Sequence, residues 1–228
     1  MKKVDIAKNL LAIKNEIKPA ELIAVTKYST VEEVIIAYDS KQYDFGENRL
    51  QDLKLKANEF KKRDLSLVRW HFIGHLQTNK VRELLKIPNL FAIHSIDSIR
   101  LLEELFKRES DFKGSELKLF LQVKTTQEET KSGFSNAEEL KMAVEILLSR
   151  SSSKIKLIGL MTMGPIETED FKVDALRAFK DLSVIASQLE ESFNLQSKLK
   201  LSMGMSQDYK LAIMAGSDYV RIGSSIFK

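Results

Sequence analysis

Apolar positions along this chain follow two rhythms. Ile6, Leu10, Ile13 and Ile17 recur at steps of three and four, which keeps them on one helical face, so the chain is expected to open with an amphipathic helix. Leu22-Ile23-Ala24-Val25-Thr26 is a continuous apolar run and reads as a first strand. Further strands are expected near Tyr43–Phe45, Val68–Ile73, Leu90–Ile93, Leu117–Val123, Ile155–Leu160, Leu199–Leu201 and Tyr219–Ile222, with helical periodicity between them. The clearest helix runs through Phe171, Ala175, Phe179, Leu182, Ala186, Leu189 and Phe193, a stripe that reads as core packing.

Strands that alternate with helices imply right-handed crossovers and a parallel sheet. Eight such units can close into a barrel, so the expected fold class is α/β: a single (β/α)8 TIM-type barrel preceded by an N-terminal helix, one domain over residues 1–228. The alternative is an open doubly wound sheet. Against it, no Gly-x-Gly-x-x-Gly fingerprint follows the first strand, and glycine-containing polar segments follow several strands rather than one switch point.

Composition narrows the class. The 228 residues suffice for one sizeable core, and 43% hydrophobic with 30% charged residues is the balance of a soluble globular domain, not a disordered one. A net charge of +4 mildly favours anionic ligands. The densest basic cluster, Lys61-Lys62-Arg63, lacks interleaved aromatics and reads as a solvated helix end, so no nucleic-acid partner is expected. The absence of cysteine excludes disulfides, thiolate nucleophiles and cysteine metal sites. No stretch of signal-peptide or membrane-spanning length follows Met1-Lys2-Lys3, so no membrane partner and a cytoplasmic location are expected.

Candidate chemistry gathers at strand ends, where a barrel carries its site. Lys27 closes the first apolar run; an amine there could form a Schiff base with an aldehyde cofactor if an apolar setting keeps part of it neutral. Gly46-Glu47-Asn48 is expected to follow the second strand, Gly74-His75-Leu76-Gln77-Thr78-Asn79-Lys80 the third and His94-Ser95-Ile96-Asp97 the fourth, although Asn48, Thr78 and Asp97 are also good helix caps. Gly204 and Ser206 are expected after the seventh strand, and Gly223-Ser224-Ser225 after the eighth at the start of a short helix. Loops after strands 7 and 8 often hold phosphate in barrels, with backbone N–H groups and serine hydroxyls as donors; the alternative is a Gly/Ser turn that closes the barrel.

Leu22-Ile23-Ala24-Val25-Thr26-Lys27, Phe45-Gly46-Glu47-Asn48, Trp70 to Lys80, Gly159-Leu160-Met161, Leu201 to Ser206 and Val220-Arg221-Ile222-Gly223-Ser224 occur in one order across nearly the whole chain. Together they resemble the pyridoxal phosphate homeostasis proteins, the YggS/PROSC family. The resemblance implies a barrel similar to the N-terminal domain of alanine racemase, with pyridoxal 5'-phosphate attached through Lys27. It implies Arg221 at the pyridine nitrogen, Asn48 near the ring hydroxyl, and Ser206, Gly223 and Ser224 on the phosphate. A cation at that nitrogen disfavours its protonation and weakens the ring as an electron sink. The resemblance also suggests a role in cofactor transfer for Lys131. Arg49, Thr26 and the terminus Phe227-Lys228 depart from the family pattern without removing any of these groups.

Two functions compete. A carrier would hold pyridoxal phosphate, hand it to apo enzymes that use it and serve vitamin B6 homeostasis; no catalytic residue and a monomer are expected. A racemase would need a second base facing Lys27, and Tyr28 and Tyr209 are the nearest tyrosines to the proposed site in sequence. His71 and His75 could share a strand face as metal ligands, but Gly74 interrupts the strand and no third ligand has supporting spacing, so no metal is expected. Gly204-Met205-Ser206-Gln207-Asp208 lacks the second glycine of a nucleophile elbow.

Overall fold

The computed structural model describes residues 4–126, 128, 132–150, 153–166 and 168–228. The chain opens with α1 (Ile6–Glu16), whose first turn is capped by the Asp5 carboxylate accepting from the Lys8 N–H at 3.0 Å. Eight strands follow: β1 (Glu21–Val25), β2 (Asp44–Glu47), β3 (Arg69–Phe72), β4 (Leu90–Ile96), β5 (Leu117–Gln122), β6 (Ile155–Met161), β7 (Lys200–Met205) and β8 (Tyr219–Ile222). Each pairs in parallel with its successor, and β8 returns to β1 with Glu21 opposite Tyr219 and Ala24 opposite Ile222. This closure is the expected barrel and rules out the open sheet.

The helices between strands are α2 (Val31–Asp39), α3 (Leu50–Lys62), α4 (Val81–Leu85), α5 (Ile99–Lys107), α6 (Ala137–Ser149), α7 (Phe171–Ser192) and α8 (Tyr209–Met214), and α9 (Ser224–Phe227) follows β8. Alternation along each strand sorts side chains into two layers. Phe45 and Trp70 point outward and meet Phe60 of α3, with ring centroids 6.2 and 5.2 Å from it. The inner layer carries Ala92, Phe120 and Met161, a small apolar cluster separate from the one between sheet and helices. His94 stacks on Phe120 there at 4.1 Å.

Three strands run further than the apolar runs suggested. β2 includes Gly46 and Glu47, β4 continues through His94 to Ile96, and β7 continues through Gly204 to Met205, so these residues lie within strands rather than in the loops expected to follow them. In β7 the reason is visible in the backbone. Gly204 adopts φ +94°, and the pairing with β8 shifts register between Ser202 and Met205, so the strand bends and continues. A Cβ at Gly204 would lie 2.6 Å from the Ala212 Cβ, a close approach of α8 that requires glycine.

Candidate functional site at the C-terminal mouth of the barrel

Lys27 stands two residues beyond β1, and its side chain is exposed. The apolar setting expected for it belongs instead to residues lower in the strand, Ile23 buried and Val25 half-buried. A turn closed by the Ser29 N–H on the Thr26 carbonyl, 2.9 Å, lifts Lys27 to the rim, and the Thr30–Glu33 capping box then starts α2. At the rim the Lys27 Nζ lies 5.2 Å from the centre of the Tyr28 ring, and the Lys228 Nζ lies 5.5 Å from that ring.

The peptide that carries Lys27 is held from behind. The Thr26 hydroxyl donates to Glu47 Oε1 at 2.7 Å. Lys56, buried on α3, donates to the Thr26 carbonyl at 2.6 Å and forms a short ion pair with the same Glu47 oxygen. Glu47 Oε2 is buried without a hydrogen-bond partner. Thr26 therefore ties the end of β1 to a charged pair between sheet and helix, a role its sequence setting did not reveal.

Arg221 lies inside the barrel on β8, opposite Ile23 of β1. It is buried and donates through NH1 to the Ser202 hydroxyl at 2.8 Å and through NH2 to the Thr162 carbonyl at 2.9 Å. Burial lowers its pKa to about 10 against the raising effect of Asp208, so it remains a cation at neutral pH. Asp208 itself is buried and accepts from the Met205 N–H at 2.5 Å. Lys27 is four residues past Ile23, so at most roughly 13 Å of backbone, at about 3.3 Å per residue, separates the levels of Lys27 and Arg221.

The loops after β7 and β8 meet beside β1. The half-buried Ser206 hydroxyl accepts from the Gly223 N–H at 3.4 Å, and a Cβ at Gly223 would lie 2.8 Å from the Val25 carbonyl oxygen. Ser224, exposed, starts α9. On the other side of β1, exposed Asn48 leaves β2, and its carbonyl oxygen would be 1.9 Å from a Cβ on Gly74, so the loops after β2 and β3 are pressed together. Thus Lys27, Asn48, Ser206, Gly223 and Ser224 all occupy the rim, with Arg221 below them. This suits a flat ring carrying an aldehyde at one edge and a phosphate at another: an amine on the rim, a cation beneath it, and a seam where a glycine keeps side-chain atoms out.

Other expectations fall differently. Lys131 lies outside the described residues. His71 points into the barrel while His75 is exposed, with its Nδ1 3.2 Å from Asp97 Oδ2, so the two histidines do not converge as metal ligands. Among the described residues no group of three or more His, Cys, Asp or Glu side chains could hold a metal ion. The Tyr209 hydroxyl donates to Glu16 of α1 at 2.6 Å. Sequence reasoning placed His94 in a candidate segment after the fourth strand without giving it a role, and passed over Ser202, Thr162, Asp208 and Lys56 as functional residues.

A closed parallel barrel with a lysine past its first strand and a glycine-containing seam between β7 and β8 has the alanine racemase type of fold. An alanine racemase from Corynebacterium glutamicum superposes with a TM-score of 0.73 over 97% of this chain and 60% of that one, at 15% identity, a likeness of fold alone. No protein-family model matches the chain. A pyridoxal phosphate homeostasis protein from Schizosaccharomyces pombe is 37% identical over 206 residues, 90% of this chain and 82% of the relative. PipY from Synechococcus elongatus, solved with PLP bound, superposes with a TM-score of 0.85 at 30% identity, covering 98% of this chain and all of that one. The chain belongs to the pyridoxal phosphate homeostasis protein family.

Proposed function

We propose that this protein binds pyridoxal 5'-phosphate at the mouth of the barrel, attached through Lys27, and holds it for intracellular vitamin B6 homeostasis rather than for strong catalysis. The observation that carries the reading is the buried Arg221 cation in the barrel interior below a rim lysine. When bound, the cofactor supplies an electrophilic aldehyde and an electron-withdrawing ring. Lys27 Nζ would hold the aldehyde end, Asn48 would lie by the ring hydroxyl, and Ser206, Gly223 and Ser224 would hold the phosphate through hydroxyl and backbone donors.

Arg221 would face the pyridine nitrogen as a donor. Protonating that nitrogen would set two positive charges side by side in a low-dielectric interior, so the ring stays a weak electron sink. This chemistry favours retention over turnover and agrees with the name homeostasis protein borne by the curated relatives. We take residues 1–228 as a single binding domain, monomeric and cytoplasmic, with apo enzymes that need the cofactor as its recipients. No helix among the described residues is long and apolar enough to cross a membrane.

Titrating the apoprotein with pyridoxal phosphate tests the reading. A saturable visible band is expected in the wild type and none in Lys27→Ala. An unchanged band in that variant would overturn the assignment of Lys27. A racemase would in addition exchange the α-hydrogen of an amino acid with solvent deuterium, and the carrier reading expects no such exchange.

A further inference from the structure

A line of polar side chains crosses the barrel interior beneath the proposed site. Arg69 and Asp44, the first residues of β3 and β2, are paired across the floor. Asp44 Oδ1 lies 3.0 Å from His71 Nε2, and His71 Nδ1 lies 2.9 Å from His94 Nε2. His94 Nδ1 lies 2.9 Å from the Ser202 hydroxyl, which is 2.8 Å from Arg221 NH1. His94 and Ser202 belong to β4 and β7, which are not neighbours in the sheet, so this contact spans the interior.

Proton counting gives the line a direction. Guanidinium only donates, so the Ser202 oxygen accepts from Arg221. The Asp44 carboxylate only accepts, so a neutral His71 carries its proton on Nε2 and turns an unprotonated Nδ1 toward His94; His94 then carries its proton on Nε2, and its Nδ1 accepts from the Ser202 hydroxyl. With both rings neutral, every donor in the line meets one acceptor. The opposite tautomers would turn an unprotonated His71 Nε2 toward the Asp44 carboxylate, acceptor against acceptor.

We propose that Asp44, His71, His94 and Ser202 form a directional hydrogen-bond relay that fixes Arg221 from below, with His71, His94 and Ser202 as positioning residues for the ring end of the cofactor site. The effect on the cofactor rests on the function proposed above; the proton pattern does not. Burial holds the His94 pKa well below its ordinary value, which keeps its ring neutral as the relay requires. Burial works to raise the Asp44 carboxyl, and bonds from His71 and Arg69 outweigh it, leaving an ionised acceptor at the end of the line. Lys118, packed over Phe91 beside His71, and Tyr219 against His94 also lie near the two rings.

Long-range ¹H–¹⁵N NMR of the histidine rings in the apoprotein reads the pattern without any cofactor. At neutral pH both His71 and His94 are expected as fixed Nε2–H tautomers. Asp44→Ala should release the fixed tautomers of both rings, while Ser202→Ala, which leaves the Asp44 end in place, should keep them and bind pyridoxal phosphate on the order of fivefold more weakly through Lys27. A His94 proton on Nδ1, averaged tautomers in the wild type, fixed tautomers that survive Asp44→Ala, or an affinity untouched by Ser202→Ala would overturn the relay. Failure of Lys27 to trap cofactor while the tautomers stand as stated would count against the site alone.

Discussion

Replacing Lys56 with methionine tests how the lysine-bearing rim is anchored. Lys56 and Glu47 have side chains only 6% and 0% exposed, and Glu47 Oε2 already lacks a partner. Lys56→Met would strand a buried carboxylate, and breaking a buried pair from one side costs about 3–5 kcal/mol. For a chain of this size each kcal/mol lowers Tm by about 2–4 °C, so a fall of roughly 6–20 °C is expected. Adding Glu47→Leu removes the orphaned charge and should recover much of the stability, because a buried pair exchanged for apolar groups is often close to neutral. The Thr26 carbonyl would still lack the Lys56 ammonium, so cofactor trapping at Lys27 should stay reduced in the double variant even as its stability returns. Urea unfolding followed by circular dichroism, run on both single variants and the double, gives the coupling. A loss under about 1 kcal/mol in Lys56→Met, or a double variant as unstable as Lys56→Met alone, would refute the buried-pair argument.

Gly204→Ala forces a side chain onto a φ of +94° with its Cβ 2.6 Å from the Ala212 Cβ, and should cost at least about 2 kcal/mol in the same unfolding assay. His94 gives a pH dependence whose sign follows from its lowered pKa. The unfolded chain takes up a proton near pH 6.5 and the folded chain resists it, so stability is full above that pH and falls below it by up to about 1.4 kcal/mol per pH unit until the folded pKa is passed. His94→Gln should flatten this slope, and stability curves measured between pH 4.5 and 8 check it. Arg221→Gln should keep Lys27 trappable but bind the cofactor about tenfold more weakly, since one charged hydrogen bond at the ring is replaced by a neutral one; absorbance titration measures the shift.

The fold was legible because parallel strands buried on both faces write themselves as apolar runs, and the helices between them keep a 3.6-residue period. Strand ends were less so. Gly204 and His94 fall where glycine and polar residues ordinarily end a strand, yet the sheet admits both: His94 because Ser202 and His71 satisfy its ring, Gly204 because the strand bends there. Lys27, Asn48, Ser206, Gly223 and Ser224 could be placed at strand ends from sequence alone. Their neighbours could not. His94 and Ser202 are 108 residues apart in sequence and meet only because the sheet closes. Lys56 did leave a signal: it sits inside the stripe Leu53, Ala57, Phe60 of α3, and a lysine on a buried helical face calls for a buried partner.

Borohydride reduction of the cofactor-loaded protein, followed by peptide mapping, tests the central claim most directly. Reduction should fix one pyridoxyl phosphate per chain on the peptide containing Lys27, and Lys27→Ala should retain none. A pyridoxyl group fixed on another lysine in the wild type, or no fixed group from protein saturated with pyridoxal phosphate, would contradict the account.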